Sequence, residues 1–175
     1  DELEAQQAAL LEGRELEPKV FAAPIVNNAV PLCETFRDDD YSTEEVKLLF
    51  ETRKIMSQPD LQGGMTCVRV PVPVGHSATM LVETERPLSV AEAREAIAGF
   101  PGVELVDDPA HNGFPTAHDV AGRDEVLVGR VRKDLTSDRL WLWLWSVSDN
   151  LRKGAATNAV QVAELLIERG LIGKR

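Results

Sequence analysis

Residues 65–83 constrain this chain more than any other stretch, because Val68, Val70, Val72 and Val74 alternate with Arg69, Pro71 and Pro73. Strict alternation is the period of a strand with one buried face, and it turns Arg69 away from the valines. Pro71 and Pro73 donate nothing to a ladder, so the strand has to end, bend or lie at an edge there. Gly75 permits a sharp change of direction before His76, and a second strand is expected over residues 78–83. In one unbroken strand Arg69 and His76 would stand about 23 Å apart on opposite faces, at about 3.3 Å per residue. The bend at residues 71–75 can cancel both the distance and the parity. Two readings of the pair stay open at this point. One is a surface arginine and an ordinary loop histidine; the other is a carboxylate-gripping fork and a titratable imidazole lining one pocket.

The rest of the chain alternates helices and strands. Residues 1–12 read as a helix with Leu3, Gln7, Leu10 and Leu11 near one face and Gly13 as its stop. A chain that begins inside a helical pattern is expected to be cut from something longer. Asn27 and Asn28, between Pro24 and Pro31, suit a turn more than a pocket wall. Ser42 and Glu45 form a capping box, and Val46, Leu49, Phe50 and Ile55 supply an apolar stripe for the helix that ends before Pro59. Glu51 and Lys54 project from one side of that helix, either as a solvated ion pair or as charges offered to a polar substrate. A second capping box, Ser89 with Glu92, opens a helix that stops at Gly99, and residues 103–106 read as a short strand. Residues 107–122 have no period and read as a long loop. His111 and His118 lie in it as polar groups, without the partners at ligand spacing that a metal site requires. Residues 125–132 alternate as a strand. In residues 140–147 leucine interleaves with Trp141, Trp143 and Trp145, a strand covered on both sides by helices or by a partner subunit. The last helix runs to about residue 169 with Val160, Ala163, Leu166 and Ile167 as its buried stripe.

Composition removes several classes of function. An apolar fraction of 43% with three tryptophans belongs to a folded chain. A net charge of −10 disfavours a general nucleic-acid binder, which needs clustered lysine and arginine. No apolar run approaches the roughly 20 residues that span a bilayer. Cys33 and Cys67 are too few for a disulfide scaffold and sit among apolar neighbours, so both read as structural thiols of a cytoplasmic protein.

Four segments together carry a resemblance. Glu51-Thr52-Arg53-Lys54, Cys67-Val68-Arg69 with Gly75-His76-Ser77, Asp124-Glu125-Val126 with Val128-Gly129-Arg130, and residues 149–156 occur in an order that resembles the aspartate-semialdehyde dehydrogenase family over residues 24–171. The resemblance implies an α+β fold, a mixed and largely antiparallel sheet covered by helices on one face. It implies the catalytic and dimerisation half of such an enzyme, one domain over residues 1–175 that forms a homodimer. The helix at 152–169 would pack toward a cofactor domain outside the chain. The family reaction is the NADP-dependent interconversion of aspartyl-4-phosphate and aspartate-4-semialdehyde, through a thioacyl intermediate on a cysteine, in lysine, threonine and methionine biosynthesis. Residue by residue, His76 would be the acid/base, Arg69 would grip the substrate α-carboxylate, and Glu51 would meet its ammonium group. Lys54 would meet phosphate and Asn150 the cofactor, with no metal involved. These roles match the chemistry, a planar fork for a carboxylate and a mobile point charge for phosphate.

The departures are also informative. The chain has no Gly-rich turn after a strand, and the nucleophilic cysteine and orienting glutamine of the family are missing, so the polypeptide alone is expected to be inactive. Related expectations are an N-acetyl-glutamyl-phosphate reductase-like domain, which Glu51 disfavours because an acetylated amine needs no anion, and a non-catalytic dimerisation module.

Overall fold

The computed structural model describes residues 1–136 and 141–173. The chain divides into two compact units, Asp1–Pro73 and Val74–Arg175. Among the described residues no helix is long and apolar enough to cross a membrane.

In the first unit, α1 (Glu2–Leu11) ends at Gly13, whose positive φ lets the Gly13 and Arg14 N–H groups close back onto the Leu10 and Ala9 carbonyls. Its buried face is Leu3, Gln6 and Ala9, whereas Gln7, Leu10 and Leu11 of the expected stripe are exposed. The reason lies in what α1 packs against. Residues 19–26 are irregular backbone, so their N–H groups need side-chain acceptors. The Gln6 amide oxygen accepts from Ile25 and Val26, at 2.8 and 3.1 Å, and the Glu2 carboxylate accepts from Lys19 and Val20. Leu3, Ile25, Val26 and Val30 then close a small core. Asn28 makes a turn as expected, with its amide donating to the Pro24 carbonyl.

α2 (Thr43–Ile55) begins at the expected capping box, but its apolar stripe is largely uncovered in this chain: Phe50 is 59% and Ile55 80% exposed, with Val46 and Leu49 half-buried. The helix is fastened by polar groups, Ser42 and Glu45 at its start and an Arg53 N–H donated to the Leu61 carbonyl. The valine run departs further from expectation. Val68 and Val70 are 43% and 49% exposed, and residues 65–73 pair only at one bridge, where Arg69 and Val30 exchange both backbone hydrogen bonds. The two prolines remove ladder donors, and the Val72 N–H closes a tight turn onto the Val70 carbonyl. Alternation here marks extended chain without a sheet to join.

The second unit is a four-stranded sheet in the order β1-β4-β3-β2, with β1 (His76–Glu83), β2 (Val103–Leu105), β3 (Val126–Lys133) and β4 (Trp141–Ser148). β4 runs antiparallel to β1 and β3, and β2 is parallel to β3, which makes the sheet mixed and largely antiparallel. Leu140, read as the first residue of the tryptophan strand, lies outside the described residues. Helix α3 (Val90–Ala98) covers one face, packing Ala93, Val90 and Ile97 over Val131, Leu142 and Leu144. At one end of the opposite face, the expected loop folds into a 3-10 turn and the short helix α4 (Ala117–Val120), burying Val120 and Ala117 on Leu127, Val147 and Trp145. Its histidines are polar surface groups as read: His111 meets Asp108 at 2.7 Å and His118 sits on α4.

A bulge interrupts β3 between Gly129 and Arg132, where Arg130 takes a positive φ. The buried carboxylate of Asp107 accepts the Arg130 and Val131 N–H groups, at 2.8 and 3.1 Å, and pairs with Arg94 at 2.8 Å. Gly129 has to be glycine, since a Cβ there would fall on the Val106 carbonyl oxygen and lie 2.7 Å from Pro115 Cδ. After β4 the chain makes a π-turn at Arg152–Ala156 and continues as α5 (Thr157–Glu168). No residue of α5 is buried; Val160 and Ile167 are exposed, Ala163 is exposed and Leu166 half-buried, contrary to the expected stripe. Thr157 at its start donates to Asp124, while Val160, Val162, Leu165 and Ile167 along it are exposed.

Candidate active site

His76 opens β1, with its Cα opposite Ser148 at the end of β4, and its side chain is exposed. The residue before it explains the start of the strand. Gly75 has a φ of +107°, and a side chain there would press on Val120 Cγ2 at 3.2 Å, so the turn needs glycine on both counts. Its N–H donates to the Asn150 side-chain oxygen at 2.8 Å. Two residues predicted from separate motifs, the histidine of Gly75-His76-Ser77 and the asparagine of Asp149-Asn150, are thus set beside one another by the sheet.

Asp149, almost fully buried, fixes the other side of this arrangement. One carboxylate oxygen accepts the Leu151 and Arg152 N–H groups, at 2.8 and 3.0 Å, and the other accepts Gly122 N–H at 2.9 Å. These three donors hold its carboxyl below the usual carboxylate range. Beyond it, Asp124 binds Arg152 through both oxygens and receives the Thr157 hydroxyl, which lowers its carboxyl to about 2.

In the first unit, Arg69 stands on the short bridge to Val30, exposed, two residues past Cys67. Glu45 ties this segment to α2. Its carboxylate accepts the Ser42 N–H at 2.8 Å and the Cys67 N–H at 2.9 Å, and these donors lower its carboxyl. Glu51 and Lys54, further along α2, are both exposed and form no ion pair with each other, so the solvated-pair reading of them does not hold. The structure brings His76 and Asn150 together in one unit and groups Arg69, Glu51 and Lys54 in the other. Cys33 is buried and Cys67 half-buried, and burial pushes both thiols up, which suits structural roles. The groove beside α1, lined by Gln6, Arg14 and Lys19 among others, contains none of the candidate residues.

Two supports escaped the sequence reading. Glu45 was visible only as half of a capping box, because its second donor lies 22 residues away. Asp149 was visible as part of a motif, yet its tie to Gly122 depends on the tertiary fold.

Residues 1–153 match the family model described as semialdehyde dehydrogenase, dimerisation domain. The chain is 48% identical to aspartate-semialdehyde dehydrogenase of Aquifex aeolicus over 174 residues, which is 98% of this chain and 51% of that protein. The crystal structure of aspartate-semialdehyde dehydrogenase II from Vibrio cholerae superposes with a TM-score of 0.90 at 43% identity, covering 96% of this chain and 49% of that one; the same enzyme has been solved in complex with ASA. The Candida albicans enzyme, solved with NADP, shares the fold at a TM-score of 0.66 and 24% identity, over 87% of this chain and 48% of that one. The chain spans about half the length of the relatives it matches. It belongs to the semialdehyde dehydrogenase family, as that family's dimerisation domain.

Proposed function

We propose that this chain is the catalytic and dimerisation half of an aspartate-semialdehyde dehydrogenase. The full-length protein would interconvert L-aspartyl-4-phosphate and L-aspartate-4-semialdehyde with NADP and phosphate, in the biosynthesis of lysine, threonine and methionine. The observation that carries the reading is the meeting of Gly75 and Asn150, 75 positions apart, which sets the predicted acid/base beside the predicted cofactor contact. The near-complete match to enzymes of that name supports it.

In this reading His76 holds and moves the proton at the substrate carbonyl oxygen, from an exposed imidazole at the head of β1. Arg69 grips the α-carboxylate with its guanidinium fork. Glu51 meets the ammonium group, and Lys54, unpaired with Glu51, is available for phosphate. The Asn150 carboxamide, its oxygen already engaged, offers an NH2 group that fits the amide edge of a nicotinamide. NADP, when bound, supplies the hydride chemistry, and a thiol outside these residues supplies the nucleophile. The uncovered side of α5 would pack on the cofactor-binding half.

A homodimer is part of the proposal. Leu81 of the edge strand β1 lies opposite Trp143, leaving an apolar sheet face open to a second subunit. The activity is tested with the full-length protein, L-aspartate-4-semialdehyde, phosphate and NADP+, following NADPH by absorbance. Turnover of this substrate and not of N-acetyl-glutamate semialdehyde is expected. The reverse preference would overturn the assignment.

A further inference from the structure

We infer that Asn150 is a positioning residue for His76, acting through the Gly75 N–H, and that it meets the cofactor only as a donor. The inference rests on the acid/base reading of His76 given above and adds how that imidazole is placed. The β1–β4 ladder starts at the His76–Ser148 pair, so backbone pairing ends one residue short of the Gly75 turn. At that point the chain emerges from the segment with Pro71 and Pro73 and enters a glycine at φ +107°. His76 is held by the ladder on the β1 side only, so the turn that precedes it needs a tie of its own. The Asn150 side chain supplies the tie, extending the sheet's hydrogen bonding by one bond where the β4 backbone has already turned away.

Asn150 can do this because its own backbone is fixed. Asp149, immediately before it, is nearly fully buried and accepts the Leu151, Arg152 and Gly122 N–H groups. The Gly154 N–H returns to the Asp149 carbonyl at 2.9 Å. An N–H donor at Gly75 requires the oxygen of the carboxamide, which decides its orientation. The nitrogen then faces away from Gly75, so a carboxamide partner there must present its oxygen. Seating the cofactor and placing the imidazole would therefore depend on one side chain.

The test uses the full-length protein with Asn150→Ala, Asn150→Asp and His76→Ala. Hydrogen exchange resolved at Gly75, without cofactor, reads the tie directly. The alanine variant should exchange about five- to tenfold faster there, the worth of one lost hydrogen bond, while aspartate keeps an acceptor and the protection. At saturating cofactor the alanine variant should lose about ten- to a hundredfold in kcat, as misplacement of an acid/base does. Aspartate should restore most of that loss and still raise the cofactor KM about tenfold, since it has no NH2 to give. Unchanged Gly75 exchange in Asn150→Ala, or equal kcat losses in both variants, overturns the inference. Should Asn150→Ala fail to fold, exchange of Gly75 at its unprotected rate in the unaltered protein would overturn it alone. A fully active His76→Ala would instead sink the acid/base reading, which separates the two failures.

Discussion

Asp107 offers the sharpest test of how the sheet is held. Its carboxylate, 0% exposed, is the shared acceptor for the two bulge amides of β3 and the partner of Arg94. Replacing it with alanine leaves three donors without that acceptor. Val131 is buried, so its N–H loses its partner with no water to replace it, at about 2 kcal/mol. Arg130 is exposed and Arg94 is 35% exposed, so both recover most of their loss from water and together add about 1 kcal/mol. The sum is about 3 kcal/mol, or a fall in Tm of roughly 6–12 °C for a chain of this size. The three tryptophans all lie in β4, paired with β3, so their fluorescence during urea or thermal unfolding reports this sheet. Asp107→Asn, which keeps one acceptor oxygen, should fall between the two. An alanine variant that unfolds at the same midpoint would show that water satisfies the bulge, and the reasoning would fail.

Other consequences can be measured in the same way. Glu45→Ala frees the Cys67 N–H and loosens the segment carrying Arg69; in the full-length protein it should raise the KM for aspartate semialdehyde about tenfold with a smaller effect on kcat. The Asp124 carboxyl sits at about 2 instead of 3.8, so its hold on Arg152 and Thr157 is complete above about pH 4 and is lost as pH falls toward 2. Hydrogen exchange in residues 152–168 should rise over that window, and Asp124→Asn should exchange fast already at neutral pH. Leu81→Arg, on the open face of the sheet, should shift sedimentation of the full-length protein toward monomer while its tryptophan unfolding midpoint holds.

What the sequence revealed follows from which forces are local. Capping boxes at Ser42 and Ser89 mark helix starts within four residues, and both stand where expected. The sheet strands were legible because their apolar residues face real partners: Leu142 and Leu144 meet α3, and Val147 meets Val120. The valine run misled because alternation records only extended backbone, and the prolines left it no ladder. The stripe of α2 was read correctly as apolar; that of α5 was read correctly as apolar and wrongly as buried, since Val160 and Ile167 are exposed. On α1 the error ran the other way: Gln6 is buried because irregular backbone needs an acceptor, a demand that hydropathy does not register. Candidate site residues came from motif resemblance. The supports of those residues, Glu45 and Asp149, and Asp107 at the β3 bulge, accept N–H groups 22 to 27 positions away and become visible only in three dimensions.

His76, at the head of β1, is proposed to manage the proton of a semialdehyde dehydrogenase reaction. The most direct test is the turnover of full-length His76→Ala with aspartate semialdehyde, phosphate and NADP+ at saturation. The account predicts a kcat lower by about two to four orders of magnitude in a protein that still folds. Turnover equal to that of the unaltered protein would contradict it.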